Sequence, residues 1–307
     1  MFPELHRAHA KLVRSVFRLL LITRPRLLLR RRLRILFSDS MPGWREMIET
    51  GFRYTGHEVR FAPLTESDLD QHDLVVPLTI ADTTWLIGRQ PLLARKPLPL
   101  PTLECVRLCD DKARLNGALA ERGFGDLIPA MGGALPFPYL VKKRIDESSV
   151  NTHVVADPQD EQRFEELLAS PEYFSQELVA GRDEYATHIL FQGGAITCSL
   201  TLKYVFDTPT PVKGKDQFTY RTITRCRFLD EFTAILSSIG FEGLCCLNYK
   251  VRDGRPLLFE INPRFGGSLS PYFACFVEHL GRGTPRPLRL GRGAFRHSSR
   301  SSASSTR

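Results

Sequence analysis

The sequence predicts a small open α/β lobe followed by a larger α+β body built on long antiparallel hairpins. Three observations carry that expectation. Apolar runs at 33–38, 58–61 and 73–78, with a helical stretch between the first two, fit a small open sheet. Gly193-Gly194 and Asp253-Gly254 each separate two long strand-like runs, as tight hairpin turns do. The strand-like run at 256–262 carries Glu260 and Asn262 and opens onto Arg264 and a Gly266-Gly267-Ser268 turn.

Taken in order, residues 33–38 read as a strand, 44–54 as a helix stopped at Gly56, and 58–61 and 73–78 as two further strands. No GxGxxG follows the first strand, so a dinucleotide fold has little support. The Pro- and Leu-rich stretch 91–101 reads as a linker. A helix follows over 110–119, with an aspartate at its start and Gly123 beyond its end. Then come a strand at 137–142, a helix at 161–169 and a strand at 174–179. The hairpin 184–191/195–204, a helix at 230–239 stopped by Gly240, and the hairpin 243–251/256–262 complete the body. This order excludes a helix bundle, a sandwich and a barrel.

With 307 residues, 42% of them apolar and 25% charged, the chain can bury a substantial core. The net charge of +8 gathers in the first 34 residues and after Arg282, so no nucleic-acid partner is expected for the middle. The apolar run near the N-terminus is interrupted by Arg18 and is too short to span a bilayer, and no small-residue cleavage site follows it. The basic segment 1–33 reads as a docked or poorly ordered helix, with weak contact to a membrane surface as the alternative. Residues 281–307 read as a disordered basic tail. Seven cysteines without paired spacing point to free, largely buried thiols and a cytoplasmic protein.

In the stretch 259–262 side chains alternate, so Glu260 and Asn262 share one face while Phe259 and Ile261 take the other. Their oxygens suit Mg²⁺ beside a polyphosphate. Arg264 is placed to clamp phosphate or carboxylate oxygens, and Gly266 and Gly267 let backbone N–H groups approach an anion.

With these pieces in order, the chain resembles the ATP-grasp superfamily of carboxylate–amine ligases, over about residues 34–280. The resemblance implies a pre-ATP-grasp α/β domain at 34–105 and a two-lobed ATP-grasp domain with antiparallel sheets at 106–280. It implies that Lys112 and Lys142 contact phosphates, and that the backbone of Glu177, Leu178 and Val179 reads the adenine edge. Glu184 would accept from the ribose, Asn248, Glu260 and Asn262 would hold the metal, and Arg264 would steady the phosphate and acyl-phosphate, with Lys142 as its catalytic companion. Cofactors are then ATP and Mg²⁺, with Mn²⁺ as a substitute, and the substrates a small carboxylate and an amine. The oligomeric state is left open. An ATP-grasp kinase and a non-catalytic nucleotide-binding interaction protein are the alternatives.

Lys143 competes with Lys142, and Asp183 with Glu184, because a one-residue slip exchanges which of each pair points inward. The loop 144–151 lacks the glycines common after the second lysine, and His188 stands where related chains often have an aspartate. His188 reads either as a structural strand histidine or as a substrate-facing group. Arg221 and Arg225 read either as solvated strand arginines or as holders of an acidic substrate.

Overall fold

The computed structural model describes residues 32–93, 98–146 and 149–280. The readings of 1–31 and 281–307, including the membrane contact and the basic tail, lie outside the described residues. Three sheets organise the described residues. The first is parallel, in the order β2-β1-β3, from β1 (Arg34–Ser38), β2 (Glu58–Ala62) and β3 (Leu74–Val76).

A helix, Glu66–Gln71, joins β2 to β3 where the sequence reading passed directly from strand to strand. It is only six residues long, and its signal is its cap: the Thr65 hydroxyl accepts from the Asp68 N–H. A second unread helix, Ile80–Ile87, begins with a full capping box between Thr79 and Asp82. The linker reading of 91–101 overlaps a short helix, Gln90–Leu93, and its end leads into another helix, Leu103–Asp110, capped by Thr102. The next helix, Lys112–Leu119, is capped by Asp111 rather than opened by Asp110.

The second sheet is antiparallel, in the order β5-β4-β6, with β4 (Tyr139–Lys143), β5 (Thr152–Val155) and β6 (Tyr173–Glu177). Tyr139, Val141 and Val155 pack beneath the helices Pro158–Arg163 and Glu165–Ala169, which replace the single helix expected at 161–169. β5 went unread because its four residues include His153 and Thr152 and carry little apolar pattern.

The third sheet, β11-β10-β7-β8-β9, is the largest, and its strands are antiparallel. The hairpins β7 (Asp183–Gln192)/β8 (Ala195–Phe206) and β10 (Gly243–Arg252)/β11 (Arg255–Asn262) match the expectation within a few residues. Asp253 and Gly254 both have positive φ, as the tight turn of the second requires. β9 (Phe218–Thr224) adds an edge. One face of this sheet packs Ile189, Cys245, Leu247 and Leu258 against Phe232 and Ile235 of the Leu229–Ser238 helix. The opposite face packs Leu190, Leu200 and Leu202 toward Phe37 of β1 and toward Phe265 and Phe273. Phe37, Phe265 and Phe273 meet edge to face, with centroids 5.1–6.2 Å apart. All seven cysteines are free and five are buried, in line with the reading of unpaired thiols. No helix among the described residues is long and apolar enough to cross a membrane.

The first sheet's helix Arg45–Phe52 lies against the 3₁₀ segment Gly267–Tyr272, and Gly51 permits the approach. A Cβ there would stand 2.9 Å from the Pro271 carbonyl oxygen, a backbone atom. Alanine in a helix ordinarily gains about 0.5–1 kcal/mol over glycine, whereas overpacking costs about 1–3 kcal/mol. Gly51→Ala should therefore lower stability by about 1 kcal/mol or more in urea unfolding. Increased stability would show that the 3₁₀ segment yields.

Candidate active site

The second and third sheets face each other across a cavity of about 340 Å³. Strand phase decides what each contributes. On β4, Val141 is committed to the small core, so Leu140 and Lys142 point into the cavity. Lys143 points away and pairs with Glu172 at 3.3 Å. On β7, Glu184 faces the cavity and is 5% exposed, while Asp183 pairs with Lys203 outside. Both one-residue ambiguities resolve toward Lys142 and Glu184.

On β10 and β11, Asn248 and Glu260 are register partners on the cavity face, with Asn262 beside them. The Asn248 and Asn262 amides donate to Glu260 Oε1 at 2.6 and 3.0 Å. Lys112, at the first position of its helix, reaches Glu260 Oε2 at 3.6 Å and donates to the Asp146 carbonyl at 2.6 Å. Lys142 donates to Gln176 Oε1 at 3.0 Å. Burial opposes the Glu260 charge, but Lys112, Lys142 and the two amides outweigh it and bring the carboxyl down to about 2. Burial also lowers the Lys142 ammonium and raises the Glu184 carboxyl. The two lysines and the oxygen-bearing strand end, distant in sequence, are thus brought to one place.

Leu178 and Val179 line the cavity where β6 crosses to β7. Lys250 donates to the Val179 carbonyl at 2.9 Å and fixes that crossing. The Glu177 carboxylate accepts from the Ala130 N–H and pairs with Arg252, so its side chain holds the crossing in place. Arg264 lines the cavity with its Nε buried and unpartnered. His188 is fully buried against Ser268, Nε2 to Oγ 2.8 Å, and burial, Lys213, Arg221 and Arg264 depress it to about 3.

Sequence reasoning missed Lys213, Lys250 and Trp44. Lys213 lies in the loop between β8 and β9, donates to Asn248 Oδ1 at 2.7 Å and stands 3.5 Å from Glu184. Burial works against its ammonium, yet Glu184 and its other neighbours raise it. Its one sequence signal is a lysine bracketed by Pro211 and Gly214. Trp44 had none, since it comes from the far N-terminal sheet. The glycine pair has a further cause: a Cβ on Gly267 would meet the Trp44 indole at 2.7 Å, and one on Gly266 the His188 ring at 2.5 Å. Both glycines make room for rings.

No protein-family model matches the chain, and no curated protein does. Solved structures do. A D-alanine–D-alanine ligase from Bacillus anthracis complexed with ATP aligns with TM-score 0.51 and 15% identity over 76% of this chain and 87% of that one. An L-amino acid ligase from Bacillus licheniformis aligns with TM-score 0.51 and 15% identity over 80% and 70%. A putative ATP-grasp superfamily protein from Archaeoglobus fulgidus aligns with TM-score 0.52 and 12% identity over 78% and 84%. The fold is the ATP-grasp fold, in agreement with the resemblance read from the motifs.

Because Glu260 titrates below the ordinary carboxylate value of about 4.3, its charge stabilises the fold at neutral pH, and that contribution fades as pH falls toward 2. Wild type should exceed Glu260→Gln by about 1–3 kcal/mol at pH 7, with the gap narrowing below pH ~4.5. A gap that stays constant from pH 7 to 3 in urea unfolding would show that the lysines do not act on this carboxylate.

Proposed function

We propose, from the ATP-grasp fold and this cavity, that the chain is an ATP- and Mg²⁺-dependent ligase joining a carboxylate to an amine through an acyl phosphate. One observation carries the reading. Lys112, Lys142 and Glu260 come from a helix and two different sheets, yet both lysines act on the one carboxylate. Ammonium groups around a strand end rich in oxygen donors suit a magnesium–triphosphate group, and phosphoryl transfer asks mainly for positioning and charge neutralisation.

Asn248 and Asn262 hold their amide nitrogens to the ionised Glu260; with the amides turned over, their oxygens and that carboxylate would make a hard oxygen set suited to Mg²⁺. The metal, when bound, neutralises charge on the phosphate oxygens. Lys112 and Lys142 bring point charges to the phosphates, and the half-buried Lys213 adds a third from the loop. Leu178 and Val179 offer backbone to the adenine edge, and Glu184 accepts from ribose hydroxyls. A carboxylate oxygen attacks the γ-phosphorus and ADP leaves. The amine then attacks the acyl carbon and phosphate leaves, with Arg264 steadying the anionic oxygens.

ADP and phosphate release with pooled carboxylates and amines, with and without hydroxylamine, tests this. Hydroxamate formation supports the acyl phosphate. ADP with a stable phosphorylated product makes the chain a kinase, and nucleotide-dependent thermal stabilisation without turnover makes it a binding module. Lys142→Met and Glu260→Gln should each lower turnover by roughly a hundredfold or more, on the scale of removing one electrostatic group at a transition state. Unchanged turnover in Glu260→Gln would remove Glu260 from the reaction.

A further inference from the structure

The Lys112 and Lys142 ammonium groups stand close enough to repel, so an unrestrained Lys112 side chain would swing away from its neighbour. Two contacts hold it in place. Its ammonium donates to the Asp146 carbonyl at 2.6 Å and stands 3.6 Å from Glu260 Oε2. Both of these partners line the cavity. The carboxylate nearest in sequence, Asp111, does not take the ammonium, because Arg144 already occupies it. Arg144 and Asp146 belong to the loop 144–151 that follows Lys142 and β4.

The guanidinium of Arg144 engages both oxygens of Asp111. Its Nη2 donates to Oδ2 at 2.6 Å, and its Nε lies 3.1 and 3.2 Å from Oδ1 and Oδ2. Oδ1 also accepts the Arg114 N–H, the bond by which Asp111 caps the helix Lys112–Leu119. Burial opposes the Asp111 charge, but Arg144 and the N–H groups of the helix start hold the carboxyl below its ordinary value. Arg144 is held from behind as well. Its Nη1 donates to the Pro171 carbonyl at 3.3 Å, and its backbone N–H to the Glu172 carbonyl at 2.8 Å.

The backbone repeats the tie. The Lys112 N–H, the first of its helix, donates to the Arg144 carbonyl at 3.0 Å. Asp146 is fixed in turn, since its carboxylate accepts the Asn151 backbone N–H at 2.9 Å and the Asn151 amide at 3.1 Å. Ser149 turns the chain at a φ of 57°, and its carbonyl accepts from Thr152 at the start of β5. The loop has no glycine, and these bonds rather than backbone freedom set its path. Lys112 is thus gripped at its backbone by residue 144 and at its ammonium by residue 146, with Asp111 withheld from it.

We propose that Arg144 and Asp111 are positioning residues for Lys112: their pairing withholds the Asp111 carboxylate and sets the loop so that the Asp146 carbonyl turns the Lys112 ammonium toward Glu260 and the phosphates of a bound nucleotide. The loop after Lys142 thereby aims Lys112, and the two phosphate contacts are set as a pair. The proposal rests on the ligase reading for its ligand. A purely electrostatic role predicts the opposite result at Asp111. Removing a negative charge would favour an anionic nucleotide. Under the proposal the same change releases Arg144, and the nucleotide binds less well.

The test is equilibrium binding of a non-hydrolysable ATP analogue with magnesium to the full chain, together with NMR of the lysine ammonium groups without ligand. Asp111→Asn keeps an oxygen to cap the helix and loses the charge that holds Arg144. It and Arg144→Gln should each weaken the analogue by roughly fivefold or more. In a Lys112→Met background the same changes should weaken it by less than about twofold, because their effect runs through that ammonium. A merely structural role gives the same loss in both backgrounds. Without ligand, the Lys112 ammonium resonance, identified by its loss in Lys112→Met, should be sharp in wild type. In both variants it should broaden or vanish as exchange with water quickens. Analogue binding in Asp111→Asn equal to wild type or tighter overturns the proposal. So do equal losses in the two backgrounds, or a Lys112 resonance missing from wild type or unchanged in the variants. A chain that binds no nucleotide removes the ligase reading, and the resonance alone then decides the positioning.

Discussion

The rest of the site depends on one electrostatic contact, in which Lys112 and Lys142 hold the Glu260 carboxylate ionised. The three groups come from the start of a helix, the middle of β4 and the end of β11. Each alone would be a poor occupant of its position, since a buried charge without a partner is strongly unfavourable. Together they form a preorganised charge cluster whose cations need an anion and whose carboxylate needs a cation. On the proposed function, a metal–polyphosphate group would meet both needs, its metal taking over the carboxylate and its phosphates the lysines.

The loop between β8 and β9 extends this cluster across the cavity. Lys213 contacts Asn248 and Glu184 on the large sheet, while Lys215 donates to the Thr152 carbonyl on the small one. The Pro209 carbonyl accepts from the Gly181 N–H at the start of β7. The loop therefore ties the two walls of the cavity at three points. The positions of its lysines follow from packing as well as from charge.

Much of this was legible because local rules and tertiary packing agree. Asp253-Gly254 specifies its hairpin, and the spacing of Glu260 and Asn262 places both on one face, but a bulge at Phe259 turns that ring into the cavity too, where simple alternation put it on the opposite face. What was not legible fell into two groups. The helices Glu66–Gln71 and Ile80–Ile87 are short, and their evidence lies in capping hydroxyls more than in apolar period. Trp44 and Lys213 matter because distant chain segments meet, and nothing in their own neighbourhoods announces that. Gly266 and Gly267 fall between these groups. The turn they make was evident, but the close approach of the His188 and Trp44 rings that a side chain there would block is tertiary.

The alternation of β10 explains why the fold and the site cannot drift apart. Cys245, Leu247 and Tyr249 belong to the core beneath the sheet, while Cys246, Asn248 and Lys250 line the cavity above it. A slip of one residue would drive Asn248 and Lys250 into that core and bring leucine and tyrosine into the cavity. Burial of the first set therefore fixes the register of the second, and β7 repeats the arrangement with Ile189 below and Glu184, Ala186 and His188 above. Apolar packing on one face thus sets the angle at which the polar groups on the other face meet their ligand. Exchanges among the polar residues can then change what the cavity accepts without unsettling the sheet that presents them.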